Sequence, residues 1–251
     1  MRRLSIALGF LAALTSAASA ASAQRQVISQ QTGVALSAGQ DGSFAITSRN
    51  PAWTFAGKLN APPIDLVTRS GRDRAGAFRA IEFKYRTSDG AARVATIRVY
   101  DERPVVLFEL AFVTSGRTSE SFPSISAYPR GLHQLSYTGV FGGYSFRDRG
   151  TDEPSDGPWV FFDDQANSFI FSPASHYMNA SLLLGANGEL TSGIVADGEQ
   201  VPAGFSTRAV LVIEPGINRA FETWGRFLTD LAGKTPRQRR RCERQVSRLL
   251  D

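Results

Sequence analysis

Apolar and polar positions alternate with a period of two along most of the chain between Gln24 and Pro215. Ile81, Phe83 and Tyr85 alternate with Glu82, Lys84 and Arg86; beyond Ser88-Asp89-Gly90, Ala95, Ile97 and Val99 alternate with Thr96, Arg98 and Tyr100. Successive side chains of a strand point to opposite faces, so this stretch predicts a half-buried antiparallel hairpin. Val105 to Val113 follows Pro104 as a nearly unbroken apolar run interrupted by Glu109, which predicts a central strand covered on both faces. Shorter strands are expected over 33–37, 43–47, 53–59, 160–162, 168–171, 181–184 and 207–214. Asp41-Gly42, Asp156-Gly157, Asn187-Gly188 and Asp197-Gly198 separate them, each able to take the positive φ of a tight hairpin. Many short strands with frequent turns and no intervening helical period predict an antiparallel sandwich over 24–215 rather than a βαβ sheet.

The period changes once, at Pro215-Gly216. Ile217, Phe221, Trp224, Leu228 and Leu231 follow at steps of four and three, one apolar stripe of a helix over 216–233. Asn218 is expected to cap its start and Gly233 to end it. Phe221 and Trp224 on its buried face require a docking surface, either the sandwich or a following domain. The expected class is therefore mainly β, a large antiparallel sandwich followed by one C-terminal helix.

Both ends of the chain differ from its middle. Arg2 and Arg3, the apolar stretch from Leu4 to Leu14 and the small residues from Thr15 to Ala23 predict a cleavable secretory signal over 1–23. Two A-x-A steps compete, at Ala18-Ala20 and Ala21-Ala23, and the second leaves Gln24 and Arg25 to open a polar mature chain. The apolar run is short of the roughly 20 residues that span a bilayer, and no later segment reaches that length. The expected location is secreted or periplasmic. Residues 234–251 crowd seven basic side chains against two acidic ones and hold the sole cysteine, Cys242. A basic helix on an anionic surface is one reading of this tail; a disordered end, or the product of a shifted reading frame, is the other.

Charge excludes one class of partner. The formal net charge is +5, but the tail alone contributes +5 and Arg2 and Arg3 a further two, which leaves the body from Gln24 to Gly233 at −2. The folded part has no electrostatic footprint for nucleic acid. With one cysteine there is no internal disulfide, and no motif calls for a metal or another cofactor.

Candidate chemistry is sparse. The two histidines are His133 and His176. His176-Tyr177 follows a predicted strand in a polar and aromatic turn, where the imidazole would either touch a ligand or bond to backbone. Asp163-Asp164 follows Trp159-Val160-Phe161-Phe162, and adjacent strand residues point apart, so a turn explains the pair better than the facing carboxylates of glycoside hydrolysis. The segment from Gly139 to Pro158 mixes rings with charged groups, Tyr144 and Arg147 among them, the mixture that a sugar surface requires. Tyr144, Arg147, Trp159, His176 and Tyr177 are thus the candidate carbohydrate contacts, and no catalytic residue is assigned. Asn179-Ala180-Ser181 matches the glycosylation triplet.

The run Phe169-Ile170-Phe171-Ser172-Pro173 through Met178-Asn179-Ala180, then 198–205, the strand to Glu214, and Gly216-Ile217-Asn218-Arg219-Ala220-Phe221-Glu222-Thr223-Trp224-Gly225 with Leu231-Ala232-Gly233-Lys234 carry a resemblance. Over most of 33–234 the chain resembles the N-terminal β-supersandwich of glycoside-hydrolase-like proteins, a domain similar to the galactose mutarotase fold and to the leading domains of α-galactosidase-type enzymes. The resemblance implies that the helix leads into a (β/α)8 barrel carrying the catalytic carboxylates. This chain would then be a truncated relative whose 216–233 helix is where the missing barrel docks. A carbohydrate-associated, non-catalytic role follows from it. The alternatives are a stand-alone aldose mutarotase, which would use His133 and His176 beside a glutamate such as Glu109, Glu199 or Glu214, and a structural fragment with no activity.

Overall fold

The computed structural model describes residues 24–137, 144–146, 157–185, 187–194 and 200–235. The expected signal, the basic tail from Pro236 on, Arg147, Asp156 of the Asp156-Gly157 turn, Glu199 and the Asp197-Gly198 turn lie outside the described residues. In chain order the strands are β1 (Arg25–Ile28), β2 (Ala35–Ala38), β3 (Ser43–Thr47), β4 (Thr54–Lys58), β5 (Asp65–Asp73), β6 (Gly76–Arg86), β7 (Ala92–Tyr100), β8 (Val105–Phe112) and β9 (Gly116–Arg117). They continue as β10 (Ser124–Ala127), β11 (His133–Tyr137), β12 (Tyr144–Phe146), β13 (Trp159–Phe162), β14 (Asn167–Pro173), β15 (Ala180–Leu184), β16 (Leu190–Ile194), β17 (Gln200–Val201) and β18 (Ser206–Pro215). The helix α1 (Ile217–Leu231) closes the described part.

Two large antiparallel sheets result. One has seven strands in the order β1-β2-β3-β4-β10-β16-β15, and the other nine in the order β12-β11-β13-β14-β18-β8-β7-β6-β5; β9 and β17 pair separately. The predicted hairpin is β6–β7, with Ile81 opposite Ile97 and Phe83 opposite Ala95. The apolar run is β8, interior to the nine-stranded sheet between β18 and β7. Gly42 and Gly188 take φ of 83° and 79° in the expected hairpin turns.

Alternation explains why this sheet is apolar on both sides. Val106, Phe108, Leu110 and Phe112 of β8 face the seven-stranded sheet, together with Phe169 and Phe171 of β14 and Leu211 and Ile213 of β18. Val105, Leu107, Ile170, Val210 and Val212 face the other way, into a second core closed by α1. Within the seven-stranded sheet the strands leave no room for a side chain at Gly57 of β4, where a Cβ would stand 2.1 Å from the Ser124 carbonyl oxygen of β10 and 2.5 Å from Phe44 of β3.

The helix has nearly the predicted limits, and its predicted stripe of Ile217, Phe221, Trp224, Leu228 and Leu231 packs on the second core, but its start is not capped as expected. Its cap position is Gly216, with no side-chain bond to the first turn, so Asn218 sits inside the helix and does not cap it. The end is as expected: Gly233, at φ 65°, donates its N–H to Asp230 O, and Lys234 donates to Thr229 O, two crossed bonds that satisfy the last carbonyls. The fully buried helix residues are Ala220 and Phe227, whereas Phe221 and Trp224 are only half-buried. Phe227 meets Tyr100 edge-on at 4.8 Å. The sandwich itself is thus the surface on which the helix docks. Among the described residues, no helix is long and apolar enough to cross a membrane.

Candidate functional site

At one end of the nine-stranded sheet, β14 stops at Pro173 and the chain turns through Ser175 and His176 before β15. His176 takes φ 52°, unusual for a residue with a Cβ, and its carbonyl accepts the N–H groups of Asn179 and Ala180 at 2.8 and 2.7 Å. The ring Nε2 lies 3.0 Å from the Ser206 carbonyl oxygen, which only accepts, so Nε2 carries the proton and Nδ1 is left toward solvent. His176 also lies over Phe205 at 4.5 Å, and Phe205 meets Phe112 at 6.1 Å. The guanidinium of Arg93 stacks on the other side of Phe112 at 4.5 Å.

Arg93 anchors this column. Its side chain is fully buried, points inward from β7, and donates from Nε and Nη2 to the two Glu120 carboxylate oxygens, each at 2.6 Å. Its Nη1 donates to the Ala92 and Thr114 carbonyl oxygens. Tyr85, opposite Arg93 in the β6–β7 register, has its phenol pushed up to about 12 by burial first and by the Glu120 carboxylate second. The exposed turn is therefore mounted on a rigid column of rings that ends in a buried ion pair.

Tyr177 and Met178 project from the same turn, 50% and 95% exposed. Of the other candidate contacts, Tyr144 falls on β12, the edge strand, opposite Tyr137, and Arg147 lies outside the described residues. Trp159 differs from expectation. It alternates onto the inner face of β13 and is 4% exposed within the main core, so its ring has no face open to a sugar.

The opposite end of the same sheet holds a different group. His133, Phe162, Ser168 and Glu214 stand in one row across β11, β13, β14 and β18. His133 Nε2 is 2.9 Å from Asp164 Oδ1. Asp163 accepts the N–H groups of Gln165 and Asn167 at 2.9 Å each, so the Asp163-Asp164 pair builds a turn, as expected. Glu214 is 5% exposed; its carboxylate accepts the Thr223 hydroxyl at 2.7 Å and faces Arg219 at 3.6 Å. Beside it an open cleft of about 590 Å³ lies between α1 and the sandwich, and its charged lining is four arginines, Arg49, Arg103, Arg219 and Arg226, against Glu102 and Glu214. Sequence reading missed this cleft, because Arg49 and Arg219 come together only through the packing of α1.

The two ends do not combine. His176 is bonded at Ser206 and His133 is in the row of Glu214, eight residues further along β18, about 26 Å at a rise of ~3.3 Å per residue. Glu109 is committed as well: Arg98 and Arg208 donate to its two oxygens at 2.5 and 3.1 Å. The pair of histidines beside one glutamate that a stand-alone mutarotase would use is not assembled. No group of three metal-ligating side chains occurs among the described residues.

No protein-family profile matches the sequence, and no curated relative matches it. Among solved structures, the α-N-acetylgalactosaminidase NagBb from Bifidobacterium bifidum in its GalNAc complex is similar at a TM-score of 0.54 and 11% identity, covering 83% of this chain and 39% of that one. A β-arabinopyranosidase is similar at a TM-score of 0.50 and 9% identity, over 76% of this chain and 40% of that one. The chain thus spans about two fifths of the length of these enzymes. At such identities the likeness is one of fold, and it establishes a two-sheet antiparallel sandwich of the kind these glycoside hydrolases contain within a longer chain.

Proposed function

We propose that this chain is the carbohydrate-associated, non-catalytic sandwich of an exported glycoside-hydrolase-like protein, cleaved after Ala23, and that it touches sugar through the His176-Tyr177 turn. The observation that carries this reading is the turn itself. An exposed ring and a histidine with a free Nδ1 stand side by side on a column of packed aromatic side chains. A sugar presents apolar C–H faces edged by hydroxyls, and a half-exposed phenol beside an imidazole offers one surface for each. The left-handed backbone at His176 is held by two hydrogen bonds, so the turn is preorganised rather than formed by the ligand. The fold shared with an α-N-acetylgalactosaminidase and a β-arabinopyranosidase makes galactose-type sugars the first ligands to test. Glu109 and Glu214 serve structure in this reading, because each is already engaged by arginine or hydroxyl donors.

The test is calorimetric titration of the exported chain with galactose and N-acetylgalactosamine oligosaccharides. Binding is expected, and Tyr177→Ala should weaken it roughly fivefold, the worth of about 1 kcal/mol of ring contact. Binding untouched by both Tyr177→Ala and His176→Ala would remove the turn from the proposal.

A further inference from the structure

We propose that the cleft beside α1 is a second binding site, for an acidic sugar residue whose carboxylate or sulfate is held by Arg49, Arg219 and Arg226. The sugar part rests on the carbohydrate role proposed above; the anionic part rests on the cleft alone. The body of the chain is net negative, yet four arginines line this one depression. What matters is how loosely three of them are engaged.

Arg103 is spent on structure, since it bonds Asp230 at 2.5 Å. Arg49 has no carboxylate partner among the described residues, and its stem lies across Gly33, where a Cβ would come within 2.9 Å of Arg49 Cβ. Glycine at position 33 thus leaves room for the arginine to lie along the cleft wall. Arg219 faces Glu214 at 3.6 Å and Arg226 faces Glu222 at 3.5 Å; both arginines are more than two-thirds exposed. The Arg226–Glu222 pair is exposed at both ends and contributes little, so a ligand anion can redirect Arg226 at small cost, whereas Arg219 presents one nitrogen to the buried Glu214 at 3.6 Å and can offer its other donors to a ligand without leaving that carboxylate. Each glutamate of the cleft faces a cation of its own: Glu214 faces Arg219 and also accepts the Thr223 hydroxyl, and Glu102 faces Arg72 at 3.7 Å.

Guanidinium forks match the two oxygens of a carboxylate or sulfate. Asn50, Gln31 and Thr32 add neutral hydrogen-bonding groups around the same space, which suits hydroxyls rather than a bare ion. A volume of about 590 Å³ falls within the range of small-molecule sites. The cleft stands at the Glu214 end of the sheet, so its occupation is independent of the Tyr177 turn.

The exported chain is titrated with D-galacturonate, galactose 6-sulfate, galactose and sodium sulfate. Acidic sugars are expected to bind at least about tenfold more tightly than galactose at this site, with affinity falling as salt rises. Arg49→Ala and Arg226→Ala should each weaken them by about tenfold, and Arg49→Lys by less, with unchanged melting temperatures because both side chains are exposed and neither faces a buried carboxylate. Preference for galacturonate over galactose 6-sulfate, or the reverse, identifies the anionic group. Equal binding of galactose and galacturonate, or insensitivity to the arginine variants, overturns the site and leaves the Tyr177 reading standing. Sodium sulfate binding as tightly as the acidic sugars overturns its assignment to a sugar. If acidic sugars bind while neutral galactose-type sugars are untouched by both Tyr177→Ala and His176→Ala, the cleft stands and the turn falls.

Discussion

The packing of α1 gives the sharpest test of the fold. Phe227 is fully buried between the helix and the outer face of the nine-stranded sheet, edge-on to Tyr100, and Ala220 one apolar turn-pair earlier is buried with it. Removing a buried phenylalanine ring typically costs ~3–5 kcal/mol. In a domain of this length that lowers Tm by about 6–20 °C, at roughly 2–4 °C per kcal/mol. Trp224 is a different case, although its position in the stripe makes it look central. It is half-buried, and its indole Nε1 is buried without a hydrogen-bond partner among the described residues. An orphaned donor costs about 1–3 kcal/mol, so Trp224→Phe should be close to neutral, and Trp224→Ala should cost less than Phe227→Ala. Ala220→Leu should cost about 1–3 kcal/mol by overpacking. Urea unfolding followed by circular dichroism measures all four. If Trp224→Ala proves more damaging than Phe227→Ala, the helix presents a different face from the one described, and the reasoning fails.

Arg93→Ala should destabilise by about 3 kcal/mol, because it strands the Glu120 carboxylate, whereas the double replacement Arg93→Met with Glu120→Leu should recover most of that loss in the same melts. Tyr85 has its folded pKa raised to about 12 from an unfolded value near 10, so its contribution to stability is complete below pH 10 and is lost as pH rises from 10 to 12. Chemical unfolding across that window should show a decline on the order of 2 kcal/mol, and Tyr85→Phe should flatten part of it; Tyr100, also raised by burial, accounts for a further part. Polarimetry with glucose and galactose should show no acceleration of anomer interconversion, since His133 and His176 stand about 26 Å apart along β18; acceleration abolished by His133→Ala or His176→Ala would contradict that geometry.

Much of the sandwich was legible because burial on one face, or on both, writes itself into the apolar pattern. β8 and β18 are legible nearly to their ends, and the β6–β7 hairpin over its alternating part, 81–86 and 95–100, without the first residues of either strand. By contrast β5 buries only Leu66 along nine residues at a sheet edge, and its Thr-Arg-Ser-Gly-Arg-Asp stretch leaves no alternation to follow. The two-residue strands β9 and β17 are too short to show any period. For the helix, the predicted stripe of large residues does pack on the second core, but the deepest contacts are made beside it, by Phe227 and by Ala220, whose small side chain allows close approach. Trp159 could have been assigned inward from the start. It shares parity with Phe161, and both sit opposite the apolar Phe169-Ile170-Phe171 run. The arginine cleft had no such signal, because its members meet only in three dimensions.

The commitments of the nine-stranded sheet decide where function can reside. Its inner face is given over to the main core, and its outer face under α1 to the second core. What remains of the outer face, beyond the helix, is charged and largely paired within itself, with Arg208 Nε left without a partner among the described residues. Glu109 accepts from Arg98 and Arg208, and Asp73 accepts from Arg98 and the Tyr100 hydroxyl. A ligand there would have to break a connected network and leave buried charges unpaired, a cost of several kcal/mol that a weak sugar contact does not offset. The strand ends carry no such commitment. At one, the Ser206 carbonyl fixes a histidine in a turn that leaves Tyr177 half in solvent; at the other, Arg49, Arg219 and Arg226 surround open space with weak partners or none among the described residues. A sandwich that covers both faces of its larger sheet leaves its edges as the places open to a ligand, and here the two edges differ in chemistry: rings and an imidazole at one, guanidinium groups at the other.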